Sequence, residues 1–415
     1  MKYLALISAV LFSSLAFAHN WYDRGNGGFV LFCANQKPQV LDLFENQDSF
    51  PMAFASAETA EKKASEIVSR LQGLDPHRAS LYREWIQSFS REISFAPSAT
   101  QFKNTPDAGL VSIPEGCKLE QVVFQRNPSV LNRSRYVVNR DLWNQLDTDN
   151  QAALIVHEII YRDFINSRTV EMTSERIRLF NGVLHGNALN GASLKDYLSI
   201  LKELHFATYM HQNLLLSLGY SNESGTWTES ALIFSNDSIE RGTLAATQAF
   251  ERSSLKYICM ENTVPELGWA EFDAQGRLIH LRVTEKFRES SSCPLPFMEY
   301  HSEQGDFTIS GYDWKFASDE QPTEVRGTLS TQSQFQLTYG KNTFVLAYEP
   351  FRPSTVETYF LFDENLNLRE IGLGGSACRS PLNNTVLFTA KKNVLDDILQ
   401  LNSEAQITSP LGLCF

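Results

Sequence analysis

The spacing of apolar and polar positions changes character twice along this chain. Residues 4–17 form an almost unbroken apolar run that follows Lys2 and ends in Ala16-Phe17-Ala18, just before His19. A positive start, a short apolar stretch and a small-x-small site predict a secretory signal peptide over 1–18. The run is shorter than the roughly 20 apolar residues that a membrane-spanning helix needs. From 19 to 220 short strand-like runs alternate with helical periodicity. Strands are predicted at 29–33, 40–44, 110–114, 119–124 and 136–138. Helices are predicted at 56–74, from Asp75-Pro76 to Ile93, and at 148–165, 173–184 and 193–218. Residues 221–225 read as a connection.

Beyond Trp227 the pattern turns to strands. The hairpin 269–272 and 278–283 is joined by Asp273-Ala274-Gln275-Gly276. Further strands are predicted at 255–260, 307–309, 323–329, 335–339, 343–348, 358–362, 368–373 and 385–390, with a short helix at 394–401. The resulting fold class is α+β. A mixed helical and small-sheet domain (19–220) is followed by an antiparallel β-sandwich or barrel-like domain (221–415).

Composition narrows the function classes. The chain has 415 residues, 43% of them hydrophobic, and a net charge of −12, which excludes a disordered chain. An acidic chain without basic blocks is a poor nucleic-acid binder. No second long apolar segment appears, so no transmembrane segment is expected in the mature chain. The six cysteines are Cys33, Cys117, Cys259, Cys293, Cys378 and Cys414. An even count in an exported chain favours disulfides. The economical pairing is Cys33–Cys117, with two bridges among the other four. None lies in a C-x-x-C pair, which disfavours zinc ribbons and thioredoxin-type sites. Gly25-Asn26-Gly27-Gly28 precedes a strand and lacks a following Gly-Lys-Ser/Thr. It therefore reads as a flexible lead-in, not a phosphate loop.

Candidate chemistry centres on His157-Glu158 in the third predicted helix of the first domain, with Thr148 and Gln151 as a capping box. A zinc peptidase uses His-Glu-x-x-His, because four residues bring both imidazoles to one helix face and the Glu activates water. Here Tyr161 stands at the fourth position, so a metal site needs ligands from elsewhere, such as His185, His205 or His211. The simpler reading is a buried helix, apolar nearly all round. In it Glu158 and Arg162 form an i,i+4 salt bridge, and His157 and Tyr161 share a face. Arg178, Asn181 and His185 follow along one stripe of the next helix. That stripe reads as a charged outer face, or else as the completion of a buried polar network with His157 and Glu158. Nucleophilic catalysis has little support, since Gly374-Gly375-Ser376-Ala377-Cys378 lacks the last glycine of Gly-x-Ser-x-Gly.

Several segments together resemble a group of uncharacterised exported proteins of Gram-negative, notably predatory, bacteria. They are Gly25-Asn26-Gly27-Gly28, Leu41-Asp42-Leu43-Phe44-Glu45, and Asp107-Ala108-Gly109 before Pro114-Glu115-Gly116-Cys117. Leu142-Trp143-Asn144-Gln145-Leu146 and His157-Glu158-Ile159-Ile160-Tyr161-Arg162 complete the set. The resemblance covers the first half of the chain. It implies an envelope or secreted location and a helix carrying His-Glu, and supplies no reaction.

These readings converge on an exported protein, periplasmic or secreted, that acts as a non-enzymatic binding or interaction module for an envelope or extracellular ligand or protein, without a cofactor. The alternative is a divergent metallopeptidase-like hydrolase with His157 and Glu158 as catalytic residues and zinc as cofactor. Tyr161, Arg162, Arg178, Asn181 and His185 are the candidate binding residues.

Overall fold

The computed structural model describes residues 28–100, 102, 113–126, 134–166, 174–221, 226–245, 248–252, 255–259, 266–283, 297–302, 305–310, 312–317, 321–329, 335–339, 342–346, 356–362, 368–374 and 389–391. The predicted signal peptide, residues 25–27, residues 110–112 of the predicted strand at 110–114 and the helix at 394–401 lie outside these residues, and residues 113–114 are not in a strand. So do Cys293, Cys378 and Cys414. The chain divides into two compact units, Met1–Ser193 and Leu194–Phe415. Helices and small sheets make up the first and antiparallel sheet dominates the second, an α+β architecture.

In the first unit, strands β1 (Phe29–Cys33) and β2 (Gln39–Val40) lead into helix α1 (Leu41–Asn46). Helices α2 (Ala60–Val68) and α3 (Pro76–Glu92) follow, then strands β3 (Ile93–Phe95), β4 (Cys117–Gln121), β5 (Val123–Gln125) and β6 (Tyr136–Val138). Helices α4 (Arg140–Trp143), α5 (Thr148–Asn166) and α6 (Ser174–His185) complete it. The strands form two three-stranded sheets, β2-β1-β4 and β3-β6-β5. Helix α5 runs through the middle and packs against α2, α3, α6, β2 and β5. From Ala152 to Tyr161 every one of its side chains is buried, as its all-round apolar sequence requires.

Local chemistry sets the boundaries. Asp75 caps α3 by accepting the Arg78 N–H at 2.9 Å, with Pro76 in the first turn. Asp147 caps α5, accepting the Asn150 N–H at 3.0 Å. This replaces the expected Thr148–Gln151 capping box, because the Gln151 side chain donates instead to the Trp143 carbonyl. The stretch expected as one strand at 119–124 is split between the two sheets. Val122 is the corner, donating to the Gly28 carbonyl at 3.0 Å and accepting from Asn139 N–H at 2.9 Å. Cys33 and Cys117 stand opposite each other in the β1–β4 register and form a disulfide.

Two expected elements change type. The predicted strand at 40–44 is helical from Leu41, and Asn46 Nδ2 bonds back to the Asp42 carbonyl at 2.8 Å. The helix expected over 193–218 stops at Glu203. His205 then takes a positive φ of 60°, and a hairpin of Thr208–His211 and Leu214–Ser217 turns at Gln212 and Asn213, both in the left-handed region. Two successive positive-φ residues are the signature of a type I′ hairpin turn, which local helix propensity does not reveal.

Gly182 on α6 is required by packing. A Cβ there would lie 2.5 Å from both Cβ and Cγ of Asn46 on α1. Helix propensity alone favours Gly182→Ala by about 1 kcal/mol. The clash involves the root of a side chain held by two hydrogen bonds, so overpacking of about 1–3 kcal/mol should prevail. A lowered urea midpoint for Gly182→Ala would show this, and a raised one would refute it.

The second unit opens with helix α7 (Leu194–Glu203). Its main feature is an eleven-stranded antiparallel sheet running from Thr389–Lys391 at one end to Thr208–His211 at the other. The expected hairpin at 269–283 lies within it as Glu266–Phe272 paired with Leu278–Val283. The sheet is open, so the barrel expectation gives way: among the described residues its terminal strands do not pair with each other. One face buries Leu244, Ala270, Phe272, Leu281, Trp314 and Val325. The other carries the register row Arg241, Glu271, His280, Lys315 and Glu324. This alternation is that of a sheet with one covered face.

Candidate functional site: a buried Asp-His-Asn network

Adjacent residues on a helix point about 100° apart, so His157 and Glu158 meet different neighbours. His157 faces α1 and α6. Its Nδ1 lies 2.7 Å from Asp42 Oδ2. The same carboxylate oxygen accepts from Asn181 Nδ2 at 2.7 Å, and Asn181 also donates to the Ala153 carbonyl at 2.9 Å. With both N–H bonds engaged, the Asn181 amide has one orientation. Asp42, His157 and Asn181 are 0–1% exposed.

A second layer holds α1 in place. Asn46 Nδ2 donates to the Arg178 carbonyl at 3.2 Å, while Arg178 Nε donates to Glu45 Oε2 at 2.6 Å and its Nη1 to Ser174 Oγ at 2.6 Å. At the start of α5, Asn150 Oδ1 accepts the Val40 N–H at 2.8 Å. Asp42, Glu45 and Asn46 are thus polar side chains through which the short α1 engages α5 and α6.

Glu158 faces the start of β1. Its Oε1 accepts the Gly28 N–H at 3.0 Å, and its backbone carbonyl accepts from Gln125 Nε2 at 2.5 Å. A Cβ on Gly28 would sit 2.4 Å from Leu154 Cδ2. Gly28 is thus a close-packing position and not part of a flexible lead-in.

The remaining candidates separate. Tyr161 is buried. Arg162 does not pair with Glu158. Its Nη1 lies 3.3 Å from each carboxylate oxygen of Glu92, and its guanidinium stacks over Trp85 at 4.4 Å. Arg178, Asn181 and His185 are 2%, 0% and 0% exposed, which overturns the reading of their stripe as a charged outer face. His185 donates from Nδ1 to the Asn181 carbonyl at 3.0 Å. In the second unit, His205 stacks on Trp227 and His211 meets Phe272 edge-on, with centroids 4.5 and 4.6 Å apart. Among the described residues no group of three or more His, Cys, Asp and Glu side chains is arranged to hold a metal ion.

Asp42, Glu45 and Asn46 were missed as site residues. Their spacing of three and four fits one helix face, but Val40-Leu41-Asp42-Leu43-Phe44 after the turn at 35–38 reads as a return strand, which gives no reason to group them.

The electrostatics follow from burial and partners. Burial alone would raise the Asp42 carboxyl. The charge and hydrogen bond of His157, with the Asn181 amide, outweigh it and hold Asp42 below the usual carboxylate range. Burial raises Glu158, against the opposing pull of His157 and the Gly28 hydrogen bond. Burial lowers His185 from 6.5 to about 4, so at neutral pH it is an uncharged ring.

That shift has a definite sign. The unfolded chain binds the His185 proton near pH 6.5 and the folded chain only near pH 4. Between these values the unfolded state holds more protons, so stability falls as the pH falls, by up to roughly 3 kcal/mol. Urea unfolding across this range should show the loss. His185→Asn cannot titrate and should flatten that part of the profile, while an unchanged profile would refute the assignment.

What this arrangement does chemically is to orient the His157 ring with Nδ1–H toward Asp42 and tie α1, α5 and α6 to a single carboxylate. Comparison with protein-family models, with curated proteins and with solved structures returns no match for this chain.

Proposed function

We propose that the chain is an exported envelope or secreted protein, periplasmic or extracellular, that works as a non-enzymatic binding or interaction module. The observation that carries this reading is the burial of His157 and Glu158, which are 1% and 0% exposed. A general base must come within hydrogen-bond reach of a substrate proton or of a water. One oxygen of the Glu158 carboxylate, Oε1, accepts the Gly28 N–H, and the other, Oε2, is sealed from solvent. The network therefore serves to hold three helices in register, and the binding surface belongs elsewhere on the molecule. The Cys33–Cys117 bridge and the leader pattern support export.

A divergent metallopeptidase-like hydrolase is the second reading. The observation on its side is the Asp42 carboxylate on His157 Nδ1, a contact that commonly orients metal-binding or basic imidazoles. Zinc analysis of metal-replete protein separates the two. The binding-module reading expects no stoichiometric zinc, and a lowered unfolding midpoint for His157→Ala. Stoichiometric zinc that disappears in His157→Ala, together with peptide hydrolysis, would overturn it.

A further inference from the structure

In the second unit a groove of about 390 Å³ runs between α7 and the strand Leu232–Ser235, lined by Lys195, Leu198, Ser199, Lys202, Ile233 and Phe234, with Leu232 beside them. The strand side of this groove is an open sheet edge. Leu232–Ser235 forms a hairpin with Ser238–Ala245 through Asn236 and Asp237, both at positive φ, and among the described residues it pairs with no other strand. An unpaired edge presents main-chain N–H and C=O groups to an incoming chain, and soluble proteins usually blunt such edges with charge. This one carries no charged side chain, and Ile233 is 48% exposed on it.

The helix side supplies the charge. Lys195, Ser199 and Lys202 are spaced four and three apart, so they form one stripe of α7. Lys195 is exposed. Lys202 donates to the Ser230 carbonyl at 2.9 Å and lies 3.6 Å from the exposed Glu229. Two lysines beside an apolar floor stand out in a chain of net charge −12.

We propose that this groove binds an extended acidic peptide segment of a partner protein. The segment adds as a strand to the Leu232–Ser235 edge, places an apolar side chain against Ile233 and Phe234, and sets carboxylates by Lys195 and Lys202. Strand addition of this kind draws affinity from main-chain hydrogen bonds and specificity from alternate side chains. The proposal deepens the binding-module reading and rests on it.

The test is a fluorescence-anisotropy titration of the full mature chain with a short labelled peptide alternating valine and glutamate. Saturable binding is expected that weakens by about tenfold in Lys195→Glu and falls with added salt. The same peptide N-methylated at alternate residues should not bind, which isolates the main-chain contribution without touching the fold of the protein. Absence of binding, equal binding of a valine–lysine peptide, or equal binding of the N-methylated peptide would overturn the proposal. So would self-association that Lys195→Glu abolishes, since the occupant would then be a second copy. Each of these leaves the non-enzymatic reading intact. Cleavage of the bound peptide, read by mass spectrometry, overturns that reading instead and leaves the groove assignment in place.

Discussion

Removing the Cys33–Cys117 bridge is expected to lower the unfolding free energy by about 4–5 kcal/mol, the loop-entropy value for a closure of this length. The two cysteines are 84 residues apart in sequence, so the reduced unfolded chain regains a large loop's freedom. The bridge also joins the ends of the β1–β4 register, where Phe29, Leu31 and Leu41 pack with Phe44 and Leu119. Urea unfolding of the Cys33→Ala, Cys117→Ala double variant, compared with the oxidised protein, measures the effect. A difference under about 1 kcal/mol would mean that the bridge closes a region already ordered in the unfolded state.

The second large effect is expected at Asp42. Asp42→Ala should cost about 3–5 kcal/mol, the usual range for breaking a buried charged pair by removing one partner. The reason is local. A single carboxylate oxygen serves both His157 Nδ1 and Asn181 Nδ2, and its loss leaves two buried donors without an acceptor. Asp42→Asn keeps an acceptor oxygen in place and should cost clearly less. If the two variants unfold at the same denaturant concentration, the charge and not the hydrogen-bond geometry dominates. If neither differs from wild type, α1 is not held by this network.

The parts of the fold that local rules govern were legible. Asp75-Pro76 marked the start of α3, the all-round apolar run marked α5 as buried, and Asp273 to Gly276 marked the hairpin turn. Elements failed where a long-range partner decides the backbone. Residues 40–44 read as a short apolar return strand, yet the segment is helical from Leu41, where Asp42 meets His157 and Asn181. The stretch after Glu203 contains good helix formers, yet Gln212 and Asn213 adopt the left-handed conformation so that the following strand can join the large sheet.

The candidate site divides in the same way. His157, Glu158, Arg178, Asn181 and His185 stood out from the sequence as polar residues on otherwise apolar or regularly spaced helices. Which of them meet was not readable, because Asp42 lies 115 residues from His157 and 139 from Asn181. Periodicity reports which face a residue shares with its near neighbours on one element. It carries no information on which element packs there.

Sequence by itself determined the α+β class, the alternation of the second unit and the burial of α5, while cysteine counting favoured Cys33–Cys117 among fifteen pairings and the structure selected it. The first three follow from local periodicity and turn chemistry. Only the tertiary structure decided that Glu158 binds Gly28 instead of Arg162, that Asp42 is the centre of the network, and that the large sheet stays open. Those outcomes depend on which distant groups compete for the same buried donors and acceptors, and burial makes an unmatched polar group costly enough to settle the competition.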